Sequence, residues 1–182
     1  MRNIVKTPRP SGHEYGIPNE EGYISDLLSY MYKRKDHYFL NDSLGHATLL
    51  ADLMIGAAEK YVLIYTGSLA EQCYKFALNS LDESVKIYVL YDKAPSHNWW
   101  DGKHQIQAIM ATSRPQIKNE NVNHFFVVDG QAFRYEIDHS KATASANFSQ
   151  EDVCKGLTQV FVTAWRESSN NDPELEQFLS NV

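Results

Sequence analysis

Two short apolar segments with a helical pattern between them constrain the fold of this chain most strongly. Residues 61–65 and 85–91 are rich in β-branched and aromatic side chains and have the length of buried strands. Apolar residues at helical spacing separate them: Leu69, Cys73, Phe76 and Ala77. Because parallel neighbours need such a crossover, the order predicts a β-α-β unit with a right-handed connection. The predicted fold class is therefore α/β, with a mixed sheet flanked by helices.

Helical spacing predicts further helices on both sides of this unit. A short amphipathic helix is expected over residues 24–31. A longer helix is expected over residues 44–58, with Asp42 or Ser43 as its N-cap. The apolar spacing within residues 106–110 indicates another helix.

A third strand and a hairpin are predicted near residue 125. Residues 124–129 form an apolar run that ends in an Asp-Gly dipeptide, which is typical of a tight hairpin turn. Residues 132–137 would return antiparallel, and a two-residue turn would place Arg134 opposite Phe125. Gly130 is expected to take a positive φ angle.

A Ser-x-Asn segment leads from this hairpin into the last long helix. Ser145-Ala146-Asn147-Phe148 precedes Ser149 and Asp152, which we expect to cap that helix. The apolar stripe of the helix is expected to comprise Val153, Leu157, Val160, Phe161, Ala164 and Trp165.

The order of apolar strand, Asp-Gly turn and Ser-x-Asn resembles the second half of the phospholipase D superfamily motif, H-x-K-x(4)-D followed by G-S-x-N. When the turns are aligned, the motif aspartate falls on Asp129, and the serine and asparagine fall on Ser145 and Asn147. The motif lysine falls on His124, and the nucleophilic histidine falls on Val122. The resemblance therefore implies a degenerate active-site motif.

The resemblance also implies an architecture and an oligomeric state. The chain is similar to the small Nuc-type endonucleases, which carry one motif per chain and form a two-fold dimer that brings two motifs together. We therefore expect a homodimer. Within each chain we expect an N-terminal arm with a short helix over residues 1–41, one phospholipase D-like domain over 42–168, and a polar tail over 169–182.

The same resemblance frames the expected function. In an intact member the histidine attacks phosphorus, and lysine and asparagine side chains hold the phosphoryl oxygens without any metal. Valine at position 122 can do none of this, although His124 could still contact an anion. We therefore predict a non-catalytic binding or regulatory module for a protein or a phosphate-bearing ligand. The alternative is a metal-independent phosphodiesterase or nuclease with a remodelled active site.

The hairpin partner strand supplies the residues of such a remodelled site. Strand alternation places Arg134, Glu136 and Asp138 on one face. Arg134 would clamp a phosphate or carboxylate, and Glu136 or Asp138 would form an acid–base pair with His139. If the protein is an enzyme, its predicted catalytic residues are thus His124, Arg134, Glu136 and His139. The alternative is an exposed edge strand whose charges prevent aggregation.

Five residues are predicted to bind a ligand. Ser145 and Asn147 are included from the motif. Ser68 follows a strand and opens a helix, a position that suits anions, although an ordinary strand-to-helix turn explains it as well. Trp99 and Trp100 lie in a polar loop, where they would stack on bases, contact a protein partner or anchor the loop to the core.

A metal or cofactor is not predicted. His124, Glu136 and His139 are possible metal ligands, but their spacing matches no established signature.

Composition limits the partners and the compartment. The net charge of −6 counts against a broad nucleic-acid-binding surface but allows a local basic groove. No apolar run has the length of a membrane span, and the first residues contain no apolar signal sequence. Cys73 and Cys154 lie in separate apolar helical patterns and are expected to be buried free thiols. A cytoplasmic location is therefore predicted.

Overall fold

The computed structural model describes residues 15–33, 35–67, 74, 77–78, 81–93, 106–141, 143–169, 175 and 177. The helices are α1 (Glu20–Lys33), α2 (Leu44–Gly56) and α3 (Glu151–Ser168), with a 3-10 turn at His139–Lys141. The strands are β1 (Phe39–Asn41), β2 (Tyr61–Thr66), β3 (Lys86–Tyr91), β4 (Ile106–Met110), β5 (Gln116–Ile117), β6 (Glu120–Asn121), β7 (Phe125–Val128), β8 (Ala132–Asp138) and β9 (Thr143–Asn147).

Seven of the described strands form one mixed sheet in the order β1-β9-β8-β7-β2-β3-β4. The strands β2, β3 and β4 at one end of this order are parallel to one another, and the other neighbours pair antiparallel. The short strands β5 and β6 pair only with each other. The predicted α/β fold with a mixed sheet in a single domain is confirmed, as is the parallel β2–β3 pair.

Helices cover both faces of this sheet and form two cores. Every residue of β2 is buried, and its side chains alternate between the two cores. The α2-side core contains most of α2 together with Leu27 of α1. The α3-side core contains Leu157, Phe161 and Trp165, as the predicted stripe requires. Within the described ranges, no helix is long and apolar enough to cross a membrane.

The helix predicted over residues 106–110 is wrong, because this segment is the edge strand β4. Its residues pair in parallel with β3, from Ile87 opposite Ile106 to Tyr91 opposite Met110. Apolar residues three and four positions apart fit a helix turn, but a run of five residues does not distinguish a helix from a strand. Here the free backbone groups of β3 are satisfied by strand pairing, which decides the structure.

The predicted register of the hairpin is wrong by one residue. Phe126, rather than Phe125, lies opposite Arg134. The Gln131 N–H donates to the Val128 carbonyl and closes the turn, so Gln131 is an additional residue before β8 begins. Gly130 has the predicted positive φ of 69°, and Asp129 has a φ of 52°.

Helix capping follows the prediction at α2 and departs from it at α3. The Ser43 side chain accepts a hydrogen bond from the His46 N–H and caps α2 as predicted. The N-cap of α3 is Gln150, which makes no side-chain cap hydrogen bond. The predicted cap Ser149 instead donates its backbone N–H to the Asn147 side chain. Acidic side chains in the first turn, including the other predicted cap Asp152, stabilise this N-terminus electrostatically.

The predicted N-terminal arm contributes to the sheet. Residues 39–41 form β1, which pairs with β9 at the edge of the sheet. The predicted short helix is α1, and its Leu27 is completely buried. The division of the chain at residues 41 and 168 stays a prediction.

Candidate functional site

A group of titratable side chains lies at the edge of the sheet where β2 and β3 end. Because β7 runs antiparallel to β2, its first residues lie at this same edge. Asp92 follows β3, His124 precedes β7, Glu136 lies near the end of β8, and His139 follows β8. We call these four residues the His124 cluster. The carboxyl ends of parallel strands are the usual position of sites in α/β proteins.

His124 contacts a carboxylate with each of its ring nitrogens. Its Nδ1 lies 3.0 Å from Oε2 of Glu136, and its Nε2 lies 3.3 Å from Oδ2 of Asp92. The backbone fixes the first contact, since the Glu136 N–H donates to the His124 carbonyl at 2.8 Å. The ring packs edge-on against Tyr65, and a Cβ atom at Gly67 would lie only 2.9 Å from its Cε1. A side chain at position 67 would therefore displace the imidazole from this position.

Glu136 joins the two histidines of the cluster. His139 Nδ1 lies 3.0 Å from the same Oε2 atom that His124 contacts, and the two imidazole rings meet edge-on with centroids 5.2 Å apart. Burial would raise the pKa of Glu136, but the hydrogen bonds with His124 and His139 outweigh burial and lower it below its ordinary value. Glu136 is therefore the ionised centre of the cluster. Its predicted alternative, Asp138, instead accepts hydrogen bonds from Ser140.

Two further residues hold Asp92 in place. The Tyr65 hydroxyl donates to Oδ1 of Asp92 at 2.8 Å, and Nε of Arg114 lies 3.5 Å from Oδ2. Burial, and then the hydrogen bond to Asp92, raise the pKa of Tyr65, so this hydroxyl stays a donor. Asp92, Tyr65 and Arg114 were not predicted as site residues. The one available signal was the position of Asp92 directly after a predicted strand.

Arg134 is buried instead of pointing towards a ligand. It is only 6% exposed, and its Nε donates to the Asn41 side chain at 3.0 Å. Strand alternation places it on the same sheet face as Glu136, two residues before it.

The structure does not bring the motif serine and asparagine to the His124 cluster. Asn147 of β9 pairs with Phe133 of β8, and Phe133 pairs in turn with Val127 of β7. Val127 is three residues beyond His124 in the sequence. Its side chain donates to Asp36 at 2.9 Å. Ser145 lies opposite Tyr135, and strand alternation turns both motif residues to the sheet face opposite Glu136. Both therefore lie apart from the cluster.

The other two aligned motif positions have packing roles in the structure. Val122 is only 4% exposed and belongs to the α3-side core. The Asp129 carboxylate accepts hydrogen bonds from the backbone N–H groups of Glu59, Lys60 and Tyr61, at 2.8–2.9 Å. Asp129 thus fastens the hairpin turn to the start of β2.

Three of the predicted ligand-binding residues, Ser68, Trp99 and Trp100, lie outside the described residues, as does Cys73.

The geometry of the His124 cluster offers two kinds of chemistry. Glu136 with either histidine is an acid–base pair at hydrogen-bond distance. The same three side chains also have potential metal-ligand atoms within 4.8 Å of one another.

No protein-family model and no curated protein matches this sequence. Solved structures do match. NucT from Helicobacter pylori is 12% identical, with a TM-score of 0.53 over 74% of this chain and 97% of NucT. TrmBL2, described as an archaeal chromatin protein with a novel mode of DNA binding, is 11% identical, with a TM-score of 0.51 over 82% of this chain and 61% of TrmBL2. Nuc from Salmonella typhimurium, described as a phospholipase D family member, is 12% identical, with a TM-score of 0.48 over 74% of this chain and 96% of Nuc.

These identities are low, so the matches define the fold and leave the activity open. The similarity to NucT over nearly its whole length confirms the Nuc-like fold that the motif resemblance implied. The chain therefore shares the fold of NucT, and a shared fold does not by itself define an activity.

Proposed function

We propose that this chain is a phospholipase D-like binding module that does not carry out the phosphohistidine chemistry of the intact motif. The buried position of Val122 supports this proposal most directly. An aliphatic side chain inside the core offers no nucleophile. The separation of Asn147 from His124 supports it as well, because no asparagine side chain from the motif reaches the cluster.

The ligand that we propose carries a phosphate group and binds beside the His124 cluster. Two exposed side chains at this edge are bases: Arg114 is 59% exposed and His139 is 70% exposed. Both are donors suited to an oxyanion. The carboxylates of Asp92 and Glu136 are paired with Arg114 and with the two histidines, and this pairing offsets part of their repulsion of an arriving anion.

A second candidate function is a metal-independent phosphodiesterase with a remodelled site. The contact of 3.0 Å between Glu136 and the exposed His139 favours it, because a carboxylate that orients an accessible imidazole is an acid–base arrangement. In this alternative, water rather than a histidine would attack phosphorus.

Binding and turnover are measured separately to distinguish the two functions. A fluorescein-labelled single-stranded DNA is titrated with the protein at low salt, in the presence of a chelator. We expect Arg114→Ala to weaken binding about tenfold, in line with loss of a charge-assisted contact. Lys155→Ala is the matched control, since Lys155 borders the groove beside Asp129, at the other end of β7, and its loss should leave affinity within about twofold. Equal affinities for wild type and Arg114→Ala would contradict the proposed ligand position.

Turnover is tested with nucleic-acid and small phosphodiester substrates under the same metal-free conditions. We expect no hydrolysis above buffer for the wild type. Cleavage that His124→Ala abolishes would favour the phosphodiesterase. Arg134→Ala is included because Arg134 was predicted to clamp phosphate, and its burial leads us to expect a loss of stability instead.

We also propose a homodimer, on the basis of the family's two-fold architecture and of apolar side chains at one end of the sheet. Tyr38, directly before the edge strand β1, is 50% exposed, and Leu40, within β1, is 71% exposed. Light scattering at micromolar concentration distinguishes a dimer from a monomer. The cytoplasmic location and a protein partner other than a second copy stay predictions from the sequence.

A further inference from the structure

We propose that His124, Glu136 and His139 form a binding site for a divalent transition-metal ion, with Zn²⁺ the best match. One ligand atom from each residue lies within 4.8 Å of the other two. Two imidazoles and one carboxylate are a donor set that zinc uses in proteins. This proposal goes beyond the proposed function. The zinc site shares His139 with the position proposed for the phosphate-bearing ligand, but zinc binding is measured without that ligand, so either proposal can fail alone.

The two imidazoles have more carboxylate contacts than their N–H groups can satisfy, and this supports a bound cation. His124 has a carboxylate oxygen at 3.0 Å from Nδ1 and another at 3.3 Å from Nε2. A neutral imidazole has one N–H, so one of these contacts would place a nitrogen lone pair against a carboxylate. His139 adds a second imidazole nitrogen at 3.0 Å from the same Glu136 oxygen. Protonation of the rings resolves this arrangement, and so does one cation bound among the three donor atoms.

The outer contacts of His124 are those of a metal-binding histidine. When Nδ1 binds an ion, Nε2 carries the proton and donates it to Asp92. Asp92 is itself held by the Tyr65 hydroxyl at 2.8 Å and by Arg114 at 3.5 Å. Such a carboxylate fixes the tautomer and orientation of the ligand ring and raises its basicity.

Zinc binding would require only a small movement of the ligands, and the exposed His139 is the residue that would move. Tetrahedral zinc with bonds of about 2.1 Å places its ligand atoms about 3.4 Å apart, so Glu136 Oε2 is already close to the right distance from both histidines. The two imidazole nitrogens must approach each other. The His124 and Glu136 side chains are 13% and 10% exposed, whereas that of His139 is 70% exposed and would swing inward. Three protein ligands leave a fourth position for water or an anion.

No sequence signature marks this site, because its ligands meet across a hairpin. His124 and Glu136 are twelve residues apart but lie level on neighbouring strands, where the backbone joins them. His139 follows three residues later, on the 3-10 turn after β8. A motif search along the chain does not detect ligands that strand pairing brings together.

The test is a zinc titration of the purified, chelator-treated full chain against a chromophoric zinc indicator. We expect one equivalent of zinc to bind with micromolar or tighter affinity, and Co²⁺ to give the visible absorption of a low-coordinate site with nitrogen and oxygen ligands. His139→Ala should weaken zinc binding at least tenfold. Loss of an outer-sphere partner already weakens metal binding by about 10–100-fold, and loss of a direct ligand should cost no less. Asp92→Asn should weaken it by about 10–100-fold through His124.

Controls separate this site from accidental binding and from misfolding. His37→Ala removes an exposed histidine that stacks on Tyr30, outside the cluster, and should leave zinc affinity unchanged. Because His139 is exposed, His139→Ala should keep the melting temperature of the metal-free wild type. Zinc should raise the melting temperature of the wild type and of His37→Ala, but not that of His139→Ala. No binding by the wild type up to 100-fold excess zinc, or equal affinity in His139→Ala, would overturn the proposal.

Discussion

At the scale of single residues, two of the positions aligned with the motif, Val122 and Asp129, stabilise the fold. Asp129 accepts three backbone N–H groups from residues 59–61, about seventy positions earlier in the chain. The Asp-Gly pair predicted the turn from local chemistry, but these partners depend on β2 lying beside β7. Val122 fills the α3-side core where a nucleophile would stand. Asp129 therefore stabilises the fold by joining the hairpin turn to the start of β2.

Replacing Asp129 should test this fastening role. Asp129→Ala removes a charged acceptor from three N–H groups, and we expect a loss of ~2–3 kcal/mol in the free energy of unfolding. Urea denaturation followed by circular dichroism measures it. Asp138→Ala is the matched control, because Asp138 bonds only to nearby Ser140 and Lys141 and should cost less than about 1 kcal/mol. A loss for Asp129→Ala no larger than for the control would show that the three bonds do not stabilise the fold.

At the scale of elements, long periodic segments were predictable from the sequence, and short ones depended on their neighbours. The apolar stripe of α3, the fully buried strand β2 and the mostly buried strand β3 have patterns that their own residues decide. The strand β4 has five residues, and only its pairing with β3 makes it a strand. The hairpin register shifted because Gln131 follows the Asp-Gly turn as an extra residue, which composition does not reveal.

The packing of α3 against the sheet predicts an unreactive thiol. Cys154 is completely buried, and burial, with a smaller contribution from Glu151, raises its pKa to about 12. At pH 8 the thiolate fraction is then on the order of one in ten thousand. We expect iodoacetamide to leave Cys154 unmodified in the native protein and to modify it within minutes in urea, as read from its peptide by mass spectrometry. Equal rates in both conditions would show that α3 does not pack as described.

At the scale of the whole molecule, the site combines residues that the sequence could and could not relate. His124, Glu136 and His139 belong to one hairpin, and the sequence analysis selected all three. Asp92 and Arg114 join them only because β7 lies beside β2 and β2 beside β3, an order that local patterns do not encode. The same sheet order carries Asn147 away from His124 and thereby separates the aligned motif residues.

The most direct test of the account is a search for a covalent phosphoenzyme. The protein is incubated with an activated phosphodiester such as bis(p-nitrophenyl) phosphate and analysed by intact-mass spectrometry at neutral pH, where a histidine–phosphorus bond survives. Val122 cannot attack phosphorus, and His124 lies two residues further on, about 7 Å along an extended chain, with both ring nitrogens held by carboxylates. We therefore predict no adduct. A phosphoryl group on His124, absent from the His124→Ala variant, would contradict the proposal that this chain does not carry out phosphohistidine chemistry.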